Sequence, residues 1–217
     1  MKPVPFRSSA EVAAAIPRVA EHLGAGGLLG YPTETVYGLG SRAVERDVAD
    51  LAALKGRAPG KPFLLLISGR AMAEAQGLAF NASADALARA FWPGPLTLVL
   101  PGGSGRLPNL LRGPEGGIAV RWTSHPGIAR LVAALDAPLT STSANLPGSQ
   151  PAPGAAAIVR DFEDAVSTGR LLVLDGGVLG NRPPSTVVDC TQPGARMVRE
   201  GAVTLGALRR AAGRLAP

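Results

Sequence analysis

Among 217 residues the chain has a single cysteine, Cys190. That excludes an internal disulfide and any metal site built from several thiolates, and it suits a reducing compartment. Histidine is scarce too: His22 falls in the last turn of the first expected helix and His125 precedes Pro126, so neither is matched to an evident Ser or Cys nucleophile. Nucleophilic hydrolysis and a His/Cys metal centre therefore lack support. Aromatic residues are 4% of the chain, few for a surface that reads RNA by stacking its bases. No apolar run reaches the ~18 residues of a membrane span, and Met1-Lys2-Pro3-Val4-Pro5 does not open an apolar leader. The expectation is a soluble, cytoplasmic protein with no membrane partner. The common nucleotide loops are missing as well. Gly56 to Lys61 has one residue too few between its glycines for a Walker loop, Pro62 stands where a Mg-binding hydroxyl belongs, and no dinucleotide-type glycine pattern occurs.

What is present suits one globular α/β unit. The length fits a single domain over 1–217 with its core at about 10–203, and 46% apolar residues suffice for a real core. The 28 Gly and 20 Pro imply many turns. Lys and Arg exceed Asp and Glu by 22 to 16, a formal charge of +6. Such a balance attracts polyanions, nucleotides and RNA among them, although a merely soluble basic surface would show the same sum.

Ser8 and Glu11 form a capping-box signature, and Val12, Ile16, Val19 and Leu23 mark one helical face ending at Gly24, with Pro17 inside the pattern. Leu28 to Tyr31 reads as a buried strand. Asp47 is expected to cap a second helix carrying Val48, Leu51 and Leu54. Further strands are expected at Pro62–Ile67, Leu96–Leu100, Ile118–Trp122, Pro138–Ser143, Leu171–Leu174, Ser185–Asp189 and around Met197. Helices are expected at Ala71–Gln76, Ser83–Phe91, after His125-Pro126, and at Thr204–Leu215. This alternation predicts a mixed, largely buried sheet flanked by helices, with Cys190 a small core residue.

The densest polar segment is Tyr31-Pro-Thr-Glu-Thr-Val-Tyr-Gly-Leu-Gly40, read as one strand-to-helix connection. Two threonines, a glutamate and a tyrosine exceed what a structural turn needs, and such loops are where binding groups are presented. Lys55, Arg57 and Lys61 stand at a helix end and across a Gly/Pro loop. Cations favour a helix C-terminus, but three within seven residues suit a triphosphate better. Arg121 interrupts an apolar strand and must be paired or face a site. Ser141-Thr142-Ser143-Ala144-Asn145, Ser185-Thr186, and Arg199 beside Gly201 add hydroxyls, an amide and a cation at strand ends. Each of these alone is equally a turn or a strand edge.

Taken in order, the Tyr31–Gly40 run, Lys55-Gly-Arg57, Trp92-Pro-Gly-Pro-Leu-Thr97, Val120-Arg121, Ser143-Ala-Asn145, Pro184-Ser-Thr-Val-Val-Asp189 and Arg199-Glu-Gly201 resemble the YrdC/Sua5 family. The resemblance spans roughly Ala13 to Gly201 and implies a twisted α/β sheet around a large basic cavity, in the short single-domain form. It further implies a threonylcarbamoyl-AMP synthase, joining L-threonine, bicarbonate and ATP with loss of pyrophosphate for N6-threonylcarbamoyl modification of tRNA. A threonylcarbamoyl transferase would then be the functional partner. By the same resemblance, Thr33, Thr35, Leu66, Arg121 and Ser141 would surround threonine. Arg57, Lys61, Gly117, Ser143, Asn145, Pro151, Ser185 and Arg199 would hold ATP. Lys55 and Arg57 would stabilise charge on the phosphates, and Mg2+ would arrive with ATP.

Trp122-Thr123 and Pro147 depart from the family pattern, which bears on the threonine pocket and on the loop over ATP. The stretch Leu146–Gly154 is the candidate lid. The alternative function is a double-stranded RNA or ribosome-associated binding protein, touching mainly backbone phosphates. Carbamoyl-adenylate chemistry of the hydrogenase-maturation type ranks last, since its companion segments do not occur in this sequence.

Overall fold

The computed structural model describes residues 2–57, 61–180 and 182–213. In chain order the elements are β1 (Val4–Pro5), α1 (Ser9–Gly24), β2 (Leu28–Tyr31), β3 (Gly38–Gly40), α2 (Glu45–Lys55), β4 (Leu64–Leu66), α3 (Arg70–Ala75), α4 (Ala82–Phe91) and β5 (Leu96–Leu100). A 3-10 turn (Asn109–Leu111) precedes β6 (Ile118–Arg121), α5 (Pro126–Leu135), β7 (Leu139–Ser143), α6 (Ala155–Asp161), α7 (Glu163–Ser167), β8 (Leu171–Asp175), β9 (Thr186–Asp189), β10 (Arg196–Arg199) and α8 (Leu205–Ala212). The strands form one mixed sheet in the order β1-β8-β2-β3-β7-β4-β6-β5-β9-β10. The expected α/β architecture is present. No helix among the described residues is long and apolar enough to cross a membrane.

Local chemistry explains most boundaries. Ser8 caps α1 while Glu11 reaches back to the Ser8 N–H, completing the capping box. Pro17 lies within α1, on its exposed side, as does Ala13, so the carbonyl it leaves unbonded meets water. Asp47 is not the cap of α2. That position belongs to Val44, and Asp47 sits buried in the first turn, paired with Arg42 Nε at 2.7 Å. The Tyr31–Gly40 run is not one connection either: its last three residues form β3, antiparallel to both β2 and β7. A Cβ at Gly40 would overlap the Thr140 carbonyl, so the strand approaches its neighbour only because the residue is glycine. Residues 58–60 of the cationic loop and the end expected for the last helix, from 214 onward, lie outside the described residues.

Side-chain alternation divides the core between the two faces of the sheet. Leu28, Leu65, Leu98, Val120, Leu171 and Val188 join the larger apolar cluster, which also receives Cys190. Burial pushes the Cys190 thiol up to about 12, as befits a core residue. The opposite face carries Leu29, Tyr31, Leu66, Leu139 and Leu172 against α1 and α5. That second cluster takes no residue from β5, β6 or β9. On those strands the same face shows half-buried Val99, Ala119 and Val187 and the polar Thr97 and Arg121. A pocket lies where the helix layer stops.

Candidate active site

The pocket of about 260 Å³ is lined by Thr33, Thr35, Arg57, Arg121, Ser141, Ser143, Ser185 and Arg199, together with Val36, Gly38, Leu64, Thr142 and Pro184. Three arginines face it and no described carboxylate lines it. It shares Thr35, Val36, Ser143, Pro184 and Arg199 with an adjoining groove of about 1000 Å³, to which Asn145, Gln150, Pro151 and Arg182 contribute. The segment 150–153, within the expected lid, thus forms part of the groove wall.

Thr33 organises the turn after β2. Its hydroxyl donates to the Val36 carbonyl at 2.7 Å, accepts from the Thr35 and Val36 N–H groups at 3.2 Å, and meets Thr35 Oγ1 at 3.0 Å. Thr35 is thereby fixed to accept from Arg121 Nη1 at 3.3 Å. The two tyrosines of this segment are structural: Tyr31 donates to the Thr140 carbonyl, and Tyr37 bridges Gly176 and Gly177.

Arg121 ends β6 and is 4% exposed. Burial pulls its pKa down, against the opposing influence of Glu34 and Tyr31. Arg199 reaches back from β10 to donate to the Ser185 carbonyl at 2.8 Å, while Ser185 Oγ pairs with Thr97 Oγ1 at 2.9 Å. Burial and then the charge of Arg121 lower the Arg199 pKa, so the two cations repel across the pocket. An anion entering between them would relieve that repulsion.

The cation pair of the loop divides its labour. Arg57 lines the pocket, donating to Thr142 Oγ1 at 2.8 Å and the Pro62 carbonyl at 2.7 Å, with its guanidinium 4.3 Å from the Phe63 ring centroid. Lys55, 6% exposed, turns to the protein instead. Its ammonium bonds the Ser143 carbonyl at 3.0 Å, Asn145 Oδ1 at 3.1 Å and the Asn145 carbonyl. Ser143 Oγ donates to Asn145 Oδ1 at 2.6 Å, so one lysine gathers the whole Ser-Ala-Asn turn. Burial, then the nearby Arg57 charge, lowers the Lys55 pKa to about 8.

Four residues assigned from the resemblance line neither the pocket nor the groove: Lys55, which turns inward, and Leu66, Lys61 and Gly117. Leu66 is fully buried in the apolar cluster with Tyr31 and Leu139; Leu64, on the same face of β4, lines the pocket. Lys61 is exposed, and its carbonyl accepts from Arg57 Nε at 2.5 Å. Gly117 precedes β6, at the opposite end of that strand from Arg121, with Val99 and Thr191 beside it. Thr142 and Pro184 went unassigned although both sit inside motifs already singled out. Leu64 carried no polar signal at all.

The sequence model described as Sua5/YciO/YrdC, telomere recombination, matches residues 21–201. A threonylcarbamoyl-AMP synthase of Chromohalobacter salexigens is 40% identical over 180 residues, covering 79% of this chain and 92% of the relative. One of Pyrococcus abyssi is 32% identical over 191 residues, covering 88% of this chain and 55% of the relative. This chain therefore spans about half the length of the archaeal protein. The crystal structure of P. abyssi Sua5 complexed with L-threonine aligns over 99% of this chain and 62% of that one, with a TM-score of 0.87 and 30% identity.

Proposed function

This chain belongs to the Sua5/YciO/YrdC family, and on that premise we propose that it is a threonylcarbamoyl-AMP synthase. The observation that carries this reading is the convergence of Arg57, Arg121 and Arg199 with six hydroxyl side chains on a pocket lined by no described carboxylate. Such a pocket binds and aligns anions. It offers no activated nucleophile, and the proposed reaction needs none from the protein.

In that reaction the threonine amine captures bicarbonate as a carbamate with loss of water. A carbamate oxygen then attacks the α-phosphorus of ATP, and pyrophosphate leaves. Arg121 pairs the amino-acid carboxylate, with Thr33, Thr35 and Ser141 around it. Arg57 and Arg199 hold the phosphates, and Ser143, Asn145 and Ser185 take the remaining polar atoms of ATP. Alignment removes most of the entropic barrier, and the fixed cations stabilise charge as it develops. Lys55 acts by holding the Ser143–Asn145 turn in register. Mg2+ enters with ATP as its counter-ion. The product is a labile mixed anhydride, so a threonylcarbamoyl transferase acting on tRNA is its consumer. The RNA-binding alternative is less well supported, because these arginines converge on a pocket instead of tracking along an open face.

The test is pyrophosphate release from ATP and Mg2+ with L-threonine or bicarbonate omitted in turn. Release that requires both, and is lost in Arg121→Ala, is the expected result. Release without threonine, or none under any combination from folded protein, would sink the proposal.

A further inference from the structure

Glu34 is a charged side chain at the pocket to which the proposed reaction gives no task. Its side chain is 13% exposed and does not line the cavity. One oxygen, Oε2, accepts a short hydrogen bond from the Thr123 hydroxyl, which in turn accepts from the His125 N–H at 3.2 Å. The same oxygen stands 3.5 Å from Arg121 Nη2, an ion pair too long for a good hydrogen bond. The other oxygen, and Arg121 Nε, are buried and make no hydrogen bond within the protein.

We propose that Glu34 is a positioning residue acting through Arg121: an internal counter-ion that balances the guanidinium when no substrate carboxylate is present and weakens its hold on the carboxylate that enters. The inference rests on the reading of Arg121 as the partner of the amino-acid carboxylate.

A guanidinium buried this deeply needs a negative partner, since an ion removed from water loses its hydration and must be compensated within the protein. Glu34 is the acid within ion-pair distance of it among the described residues. The other ionisable groups bearing on the pair do not supply that charge. Tyr31 is a buried phenol bonded to the Thr140 carbonyl, His125 caps α5, and Arg199 is itself a cation. Nor does Glu34 aim the guanidinium. Its close bond is to Thr123, and the directional bond of Arg121 is to Thr35. What Glu34 provides is charge. A carboxylate docking on the same guanidinium comes within several ångströms of it, and like charges at that range repel.

Glu34→Gln separates charge from shape, because the amide oxygen still accepts from Thr123. Binding of L-threonine and of L-threoninol, which has no carboxylate, is measured by calorimetry on wild type and variant. The variant is expected to bind L-threonine about tenfold tighter, the order set by removing one unit charge at such range. L-Threoninol should bind unchanged. Thr123→Val, which keeps the charge and removes the bond, should lower Tm and leave L-threonine affinity within about twofold. Loss of a merely structural contact would weaken binding, so equal or weaker L-threonine binding by folded Glu34→Gln overturns the inference. If wild type binds both ligands alike, the carboxylate reading of Arg121 fails and the inference fails with it. Discrimination by wild type without a gain in the variant overturns the inference alone. Should Glu34→Gln not fold, Glu34→Gln/Arg121→Met removes both charges and is expected to recover the fold; its failure to do so is equally fatal.

Discussion

The face of the sheet that carries α1 and α5 holds two regions built from the same strands. Along β7, Leu139 joins the apolar cluster, while Ser141 and Ser143, further along the same face, line the pocket. On β4, Leu66 is core, while Leu64, half-buried and packed against the edge of the same cluster, is also pocket wall. Register makes the boundary sharp: Leu66 pairs with Leu139, and Leu64 with Ser141. One step of two residues thus separates packing from binding, and the difference lies in whether a helix covers the strand. Beyond α1 and α5 the face keeps its side-chain alternation but exchanges leucine for hydroxyls and arginine.

Substitutions on either side of that boundary should fail in different ways. Arg121→Ala is expected to cut pyrophosphate release by about 10²–10³-fold, the scale of losing a preorganised charge contact. Leu66→Ala should cost about 2–5 kcal/mol of stability in a denaturant titration while leaving KM for L-threonine unchanged. A raised KM in folded Leu66→Ala would erase the boundary and give Leu66 a substrate contact. Lys55 sharpens the comparison through pH. Burial lowers its folded pKa to about 8 from the ordinary 10.5. Between those values the unfolded chain binds the extra proton, so this group's contribution to stability rises with pH. Over the same window the ammonium becomes a neutral amine, which has one donor fewer for its three acceptors on Ser143 and Asn145 and no charge to strengthen the bonds that remain. The rate should therefore fall above about pH 8 without loss of fold, and Lys55→Arg should move that limb upward. Ser185→Ala, which removes the Thr97 contact and a long 3.4 Å bond from Arg199 but keeps the carbonyl that Arg199 binds, should have the smallest effect, about 1 kcal/mol or several-fold in KM for ATP.

Much of this was legible wherever one residue type carried the physics. The capping box fixed the start of α1, an alternating apolar run marked β5 at Leu96–Leu100, and a cation inside an apolar strand identified Arg121. Elements without such marks were not legible. β3 is three residues with two glycines, β1 is a pair, and α6 and α7 start without a side-chain cap. Within the site, hydroxyls and guanidinium groups could be found by type, but orientation could not. That Lys55 turns inward while Arg57 faces the pocket depends on the fold beyond Gly56, which takes the left-handed conformation at the end of α2. Leu64 lines the pocket through tertiary placement alone, and Glu34 gains its meaning from Thr123 and Arg121, 89 and 87 positions further along the chain.

β10 is the outermost strand on its side of the sheet among the described residues, largely exposed and shifted in register between Met197 and Arg199. Outer strands open at lower free energy than central ones. Arg199 therefore couples the pocket to an outer strand, where amide hydrogens are expected to exchange more readily than in the centre of the sheet. A ligand held by that guanidinium should slow exchange along Arg196–Arg199 more than along β7, so occupancy of the site becomes readable at the rim of the molecule.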